Sequence, residues 1–173
     1  MGRAAERGAY AGPRDGGGAE SGDPRVTRTI AVILVDSNVL VYAVGSEHPQ
    51  REASKRLFDA VAGGELAATT TPEVIQEFAH VYGRRRLRRD ASRHARRFAA
   101  LLGPLVATTS DAVDTALDLY ERHEELDAFD ALLAAVALRE RVSALVSADR
   151  VFARIRKLPF VELGSPRFGE LLT

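Results

Sequence analysis

Two aspartates follow short apolar segments, at positions where a bound ligand is expected. Asp36 comes directly after residues 30–35, and Asp149 comes two residues after 144–147. Both segments have the length and apolar character of strands buried in a parallel sheet, and such sheets bind ligands beyond the carboxyl ends of their strands. A lone Asp after a strand usually begins a turn. Two of them at equivalent positions favour a functional site.

A third acid lies on a helix that is predicted to begin at Thr71-Pro72. Along this helix Glu77 falls at the margin of the apolar arc, roughly 40° from Val81. A carboxylate at that margin cannot be fully solvated, so Glu77 is a candidate site residue. Glu73 lies in the first turn, where a favourable interaction with the helix dipole explains it without any function.

A fourth acid lies on a helix predicted over residues 128–141. This helix is apolar almost all round and should be largely buried. Asp130 projects among its Leu and Ala side chains, where an unpaired carboxylate is costly unless something pairs with it. Asp127 fits a helix N-cap with an acid three residues later, so it is either a cap or a member of the site.

Four carboxylates that converge would repel one another unless a cation lay between them. The chain has no Cys, and its histidines are scattered along the sequence at positions 48, 80, 94 and 123. Carboxylate oxygens without such softer ligands favour Mg²⁺ or Mn²⁺ over Zn²⁺. A cation of this kind lowers the pKa of a bound water and offsets charge on a phosphoryl oxygen.

These acids need a scaffold that brings them together, and the sequence predicts strands alternating with helices. The predicted strands are 30–35, 66–70, 105–108, 144–147 and 160–163, and the predicted helices are 50–62, 72–82, 84–102, 110–123 and 128–141, with a helical turn or two over 150–155. Short apolar strands that alternate with helices form a mostly parallel sheet covered by helices. The expected fold class is therefore α/β.

The length of 173 residues, of which 46% are hydrophobic, suits one packed domain plus a tail. Residues 1–28 are mainly Gly, Ala, Arg, Glu, Asp and Pro, and they cannot bury enough apolar surface to offset their ordering entropy. We predict a disordered N-terminal extension over 1–28 and one domain over 29–173. The absence of Cys and of a long apolar run predicts a cytoplasmic protein with no membrane partner.

Four segments around the acids also resemble the acidic motifs of the PIN-domain nucleases, most closely those of the VapC toxins of type II toxin–antitoxin systems. The segments are 35–40 (VDSNVL), 73–78 (EVIQEF), 129–135 (FDALLAA) and 147–152 (SADRVF). They occur in the family's order and at its spacing over about residues 30–163. One such motif would be weak evidence for the family, whereas four motifs in the same order and spacing are a specific signal.

The resemblance implies a three-layer α/β/α sandwich and a metal-dependent endoribonuclease with Mg²⁺ or Mn²⁺ as cofactor. It assigns the metal-site acids as Asp36, Glu77, Asp130 and Asp149, with supporting positions at Ser37, Asn38, Asp127 and Ser147. It also implies an RNA substrate, an antitoxin partner, a homodimer, and products with a 5′-phosphate and a 3′-hydroxyl. Many members carry a further acid where this chain has Val151, so the number of metals stays open.

Charge is unevenly distributed, although 24 basic and 24 acidic side chains cancel. Eight arginines lie between residues 83 and 97 against one acid, and eight acids lie between 110 and 130 against one arginine. Arginine pairs well with phosphate oxygens, so Arg84, Arg85 and Arg86 are candidates for contact with the RNA backbone. The alternatives are an antitoxin or dimer contact, a solvated helix face, or pairing with the acidic segment.

Two other function classes are open. A catalytically silent or regulatory RNA-binding PIN module is disfavoured because all four acids are present. A phosphatase or receiver domain would use Asp36 covalently, but a haloacid-dehalogenase-type phosphatase needs an acid where this chain has Asn38. A receiver needs a lysine near the site, and the two lysines are Lys55 and Lys157. No Gly-rich phosphate loop follows the first strand, which disfavours dinucleotide and nucleoside-triphosphate binding.

Overall fold

A four-stranded parallel sheet forms the centre of the molecule. The computed structural model describes residues 31–173, so the predicted disordered extension over 1–28 lies outside the described residues. The strands are β1 (Val32–Val35), β2 (Ala67–Thr69), β3 (Ala144–Ser147) and β4 (Phe160–Glu162), in the order β2-β1-β3-β4 with every neighbouring pair parallel. The predicted parallel sheet is confirmed.

Helices cover the sheet on both sides. They are α1 (Ser37–Val44), α2 (Arg51–Ala62), α3 (Pro72–Arg85), α4 (Arg88–Leu101), α5 (Ser110–Arg122), α6 (Ala128–Arg139) and α7 (Pro166–Leu171), with a 3₁₀ helix over Arg150–Arg154. One group comprises α1 to α4, in which α1 packs against α2 and α3, and α3 packs against α4. The other group comprises α5 and α6, which pack against each other. Both groups contact β3 through α1 and α6. This is the three-layer α/β/α arrangement expected from the sequence.

Local capping explains where the site-bearing helices begin. The Thr71 side chain accepts a hydrogen bond from Val74 N at 3.3 Å, and Pro72 is the first residue of α3. The side chain of Asp127 caps α6 by accepting from the backbone N–H groups of Phe129 and Asp130. A capping side chain satisfies helix N–H groups that have no partner within the helix. Both helix starts follow the sequence prediction.

One predicted strand is absent and two helices were not anticipated. The predicted strand over 105–108 is wrong, because this segment makes one backbone hydrogen bond, from Val106 N to Thr70 O, just beyond β2. The sequence assigned no element to α1 or α7. Valine is frequent in α1 and disfavours a helix by propensity alone, but Asp36 caps this helix and Val39 and Leu40 are fully buried.

The register of the sheet determines where the site lies. Val35 of β1 pairs with Val146 of β3, and Asp36 N donates to Val146 O at 3.1 Å. The carboxyl ends of the two central strands therefore meet, and the residues that follow them become neighbours. None of the helices described over residues 31–173 is both long and apolar enough to span a bilayer.

Candidate active site

Asp36 is held rigidly at the carboxyl end of β1. Its side chain accepts from the backbone N–H of Ser37 through one oxygen, and its Oδ2 accepts from Asn38 Nδ2 and Ser147 Oγ, both at 2.6 Å. The residue is 4% exposed. A buried carboxylate is tolerated where hydrogen bonds satisfy its oxygens. The sequence prediction that Asp36 begins a site beyond β1 fits this location.

Ser147 and Asn38 form the network that orients this carboxylate. Besides its bond to Asp36, Ser147 Oγ accepts from Asn38 Nδ2 and from the backbone N–H of Asp149, each at 2.9 Å. Asn38 Oδ1 accepts from Ala148 N at 3.1 Å. The network joins the ends of β1 and β3, so these two polar residues lie where the sequence analysis expects supporting residues.

Asp130 and Asp127 enter from the first turn of α6. Asp127 Oδ1 accepts from the N–H groups of Phe129 and Asp130, both at 2.8 Å, so its capping role is confirmed. Asp130 is half-buried beside the acids of the other elements. Asp149 is exposed and caps the 3₁₀ helix through a 3.0 Å bond from Val151 N, which is the turn-forming role that the sequence also allows.

Glu77 approaches the same place from α3. Glu77 is half-buried, as its position at the apolar margin predicts, and the nearby Ser37 side chain partly offsets the rise in its pKa. Glu73 lies one turn earlier and also lines the pocket, and its Oε2 is buried without a hydrogen-bond partner. The sequence analysis explains Glu73 by the helix dipole alone. It misses the pocket position of Glu73, which the spacing to Glu77 indicates, because residues four apart share a helix face.

The electrostatics indicate that the carboxylates interact. Burial raises the pKa of Asp36 to about 6, and the Glu77 charge adds to the rise while hydrogen bonds from Ser147 and Ser37 oppose it. Burial also raises the pKa of Asp130 to about 8, with contributions from the charges of Asp127, Asp36, Asp149 and Glu77. Burial is the main cause of a raised pKa for Glu77, followed by the charge of Asp127. Such mutually repelling acids are typical of functional sites.

The chemistry of this pocket fits a hard divalent cation. Its acidic lining residues are Asp36, Glu73, Glu77 and Asp130, and all offer carboxylate oxygens. The buried, unpartnered Oε2 of Glu73 is a further oxygen that a cation or its water would satisfy. Within residues 31–173, no group of three or more His, Asp or Glu side chains stands close enough, as the side chains lie, to hold one metal ion.

The arginines at the end of α3 do not line the acidic pocket. Arg84, Arg85 and Arg86 are exposed, and Arg86 donates to Ser46 Oγ at 3.0 Å. Arg84 lines a groove of about 560 Å³ between α3 and α4. In the described part of the chain, no salt bridge joins the arginines of 84–97 to the acids of 110–130. The pairing of these two charged segments, one of the alternatives from the sequence, is therefore not observed.

The chain is similar in sequence to known ribonucleases. The family model of the PIN domain matches residues 33–158. Ribonuclease VapC7 of Mycobacterium tuberculosis is 46% identical over 126 residues, which are 70% of this chain and 85% of that protein. Ribonuclease VapC13 of the same species is 36% identical over 124 residues, covering 70% and 92% of the two chains.

Solved structures share the fold at lower identity. Mycobacterium tuberculosis VapC20, described as a sarcin–ricin loop cleaving toxin, aligns with a TM-score of 0.61 and 21% identity over 70% of this chain and 92% of its own. VapBC2 of Rickettsia felis, bound to a promoter DNA fragment, aligns with a TM-score of 0.60 and 16% identity over 76% and 98% of the two chains. These likenesses confirm the expected fold. With the sequence matches and the four acidic motifs, they establish that this chain belongs to the PIN-domain family, among the VapC ribonucleases.

Proposed function

We propose that this protein is a divalent-metal-dependent endoribonuclease that hydrolyses RNA phosphodiester bonds as the toxin of a type II toxin–antitoxin pair. The observation that carries the proposal is the pocket beyond β1, which the carboxylates of Asp36, Glu77 and Asp130 line together. Asp149 lies near enough for its charge to raise the pKa of Asp130. A silent RNA-binding module has no need for such mutual repulsion.

We infer that Asp36, Glu77, Asp130 and Asp149 hold Mg²⁺ or Mn²⁺. The all-oxygen donor set supports these cations, and family membership supports a divalent metal in general. When bound, the cation offsets charge on the phosphate and makes a water molecule more acidic. Whether one or two ions bind depends on acids beyond these four, and Val151 offers no further carboxylate.

The protein's own residues supply orientation and proton transfer. Asp36 cannot rotate freely, because Ser147 and Asn38 both hold its Oδ2. Asp130, with a pKa of about 8, holds a proton at neutral pH without a cation and would release it where a cation is bound. Glu77 has a raised pKa and is suited to accept a proton from the attacking water. In-line attack of this water forms a new P–O bond and breaks the bond between phosphorus and the 3′-oxygen, which takes up a proton from solvent, so the products carry a 5′-phosphate and a 3′-hydroxyl.

We propose that the arginines at the end of α3 contact the RNA backbone. Arg84, Arg85 and Arg86 are exposed and follow the helix that carries Glu77, which supports contact with phosphates beside the acidic pocket. Their guanidinium groups suit phosphate oxygens, and such contacts orient the nucleic acid without selecting its sequence.

We also infer a small antitoxin as protein partner, and a homodimer. VapBC2 and a toxin–antitoxin complex from Klebsiella pneumoniae are structural neighbours that support the antitoxin. An exposed apolar stripe on α5, formed by Val113, Leu117 and Tyr120 at 41%, 54% and 48% exposure, supports a protein interface. Leu117→Glu should convert a dimer to a monomer in light scattering, and a dimer that survives places the interface elsewhere.

The enzymatic proposal is tested by purifying the chain without an antitoxin and incubating it with structured RNA and Mg²⁺. We expect endonucleolytic fragments with 5′-phosphate and 3′-hydroxyl ends, and no fragments from Asp36→Asn protein that retains its circular dichroism spectrum. Wild-type protein that binds RNA but leaves it intact would identify the silent RNA-binding module instead.

A further inference from the structure

We propose that Phe129 stacks against a base of the RNA and thereby positions the substrate at the acidic pocket. The inference rests on the proposed ribonuclease function and goes beyond it, because it names the residue that holds a nucleotide at the site. Neither the four acids nor the arginines after α3 supply such a contact.

Phe129 differs from every other phenylalanine in the chain. All seven lie within residues 31–173, and the other six are buried or half-buried. Phe129 is 59% exposed. An exposed aromatic ring loses the apolar burial that usually retains such a residue, so its position calls for a partner outside the fold.

The fold fixes Phe129 next to the carboxylates. Asp127 accepts from the N–H groups of Phe129 and Asp130 at 2.8 Å each, so both lie in the ordered first turn of α6. Phe129 lines the pocket that also contains Asp36 and Glu77. A base that stacks on its ring therefore lies beside the place where the phosphodiester is cut.

The charges of the pocket explain why a stacking contact is needed there. No lysine or arginine lines this pocket in the described part of the chain, and its charged lining residues are all acids. Carboxylates repel the phosphate backbone, so a contact that does not depend on positive charge adds affinity at this place besides that of a cation or of the arginines. Stacking of a base on an aromatic ring supplies such affinity and tolerates any base, because every base has a π-face.

A steady-state assay with a short RNA substrate tests this assignment. Phe129→Ala should raise KM roughly 5- to 150-fold, the range of a lost base–aromatic stack, while kcat changes little because the contact is made equally in the ground and transition states. Phe129→Tyr should restore the wild-type KM. Phe129→Leu keeps an apolar side chain but has no ring, so it should behave like the alanine variant.

Fluorescence supplies a second readout that a structural role would not move. The chain contains no Trp, so Phe129→Trp introduces a single tryptophan at the pocket. Stopped-flow mixing with RNA and Mg²⁺ should quench its emission in the binding phase, before products form. Asp59→Trp is the matched control, because Asp59 is exposed on α2 and does not line the pocket, and its emission should not change.

The outcomes separate the two levels of the proposal. Wild-type protein that cleaves no RNA overturns the ribonuclease function and this inference with it. Wild-type cleavage combined with an unchanged KM for Phe129→Ala, or with no quenching of Phe129→Trp, overturns the stacking role alone. Loss of antitoxin binding in Phe129→Ala with an unchanged KM for RNA would instead assign the exposed ring to a protein contact.

Discussion

Replacing Asp130 with Asn should stabilise the metal-free protein at neutral pH. Burial and the charges of neighbouring acids raise the pKa of Asp130 to about 8 in the fold. The same group in the unfolded chain loses its proton near pH 4. Between these two values the folded state binds more protons than the unfolded state, so the free energy of unfolding falls as pH rises. Asn has the shape of the protonated acid and does not titrate.

The size of the effect follows from the pKa. One pKa unit corresponds to about 1.36 kcal/mol, so the rise from 3.8 to about 8 sets an upper limit of about 6 kcal/mol. Water reaches this half-buried carboxyl and screens its interactions, which reduces the expected gain to about 2–3 kcal/mol above pH 8. For a domain of this size, that gain corresponds to a rise in Tm of roughly 4–12 °C.

The assay is a series of thermal melts in EDTA between pH 4 and pH 9. Wild type and Asp130→Asn should melt together near pH 4 and diverge as pH approaches 8, with the variant higher. Asp59→Asn is the matched control, because Asp59 is an exposed acid on α2 that does not line the acidic pocket. A variant that melts below wild type at pH 8, or a difference independent of pH, would refute the inferred repulsion at Asp130.

Three further predictions address the metal, the hydrogen-bond network and the basic surface. Saturating Mg²⁺ should stabilise wild type by about 2.7 kcal/mol at a hundredfold excess over Kd and stabilise Asp130→Asn much less in thermal melts, whereas equal stabilisation would exclude Asp130 as a ligand. Ser147→Ala removes the 2.6 Å bond to the β1 aspartate and should lower metal affinity or cleavage roughly 10- to 100-fold, so unchanged kinetics would contradict its orienting role. Replacing Arg84, Arg85 and Arg86 together by Ala should weaken RNA binding and flatten its salt dependence by about 2 in the log–log slope, and an unchanged slope would assign these arginines to another partner.

The sheet and the acidic pocket could be predicted because their signals are local and mutually consistent. Segment 144–147 is a short apolar run, and β3 has the same bounds. Thr71-Pro72 and Asp127 are strong helix-start signals, and both helices begin there. The acids could then be placed from strand ends and from helical spacing, and Asp36, Glu77 and Asp130 do line one pocket.

The remaining features depend on tertiary packing that no local pattern carries. The valines of α1 favour a strand by propensity, and burial of Val39 and Leu40 outweighs that preference. Segment 105–108 looks like a strand, but the fold gives it a single backbone bond to Thr70. The exposure of Phe129 could not be predicted either, because only the orientation of α6 determines which of its apolar residues faces solvent.

The claim that the acidic pocket binds a divalent cation for RNA cleavage is tested most directly by titrating Mn²⁺ into EDTA-treated protein. Binding is followed by calorimetry, and cleavage of a fluorescent RNA is followed in parallel. Cleavage should be absent without metal and should rise over the same Mn²⁺ concentrations as binding, while Asp36→Asn should lose both and keep its fold. Full cleavage in excess EDTA, or wild-type Mn²⁺ binding by Asp36→Asn, would contradict the assignment.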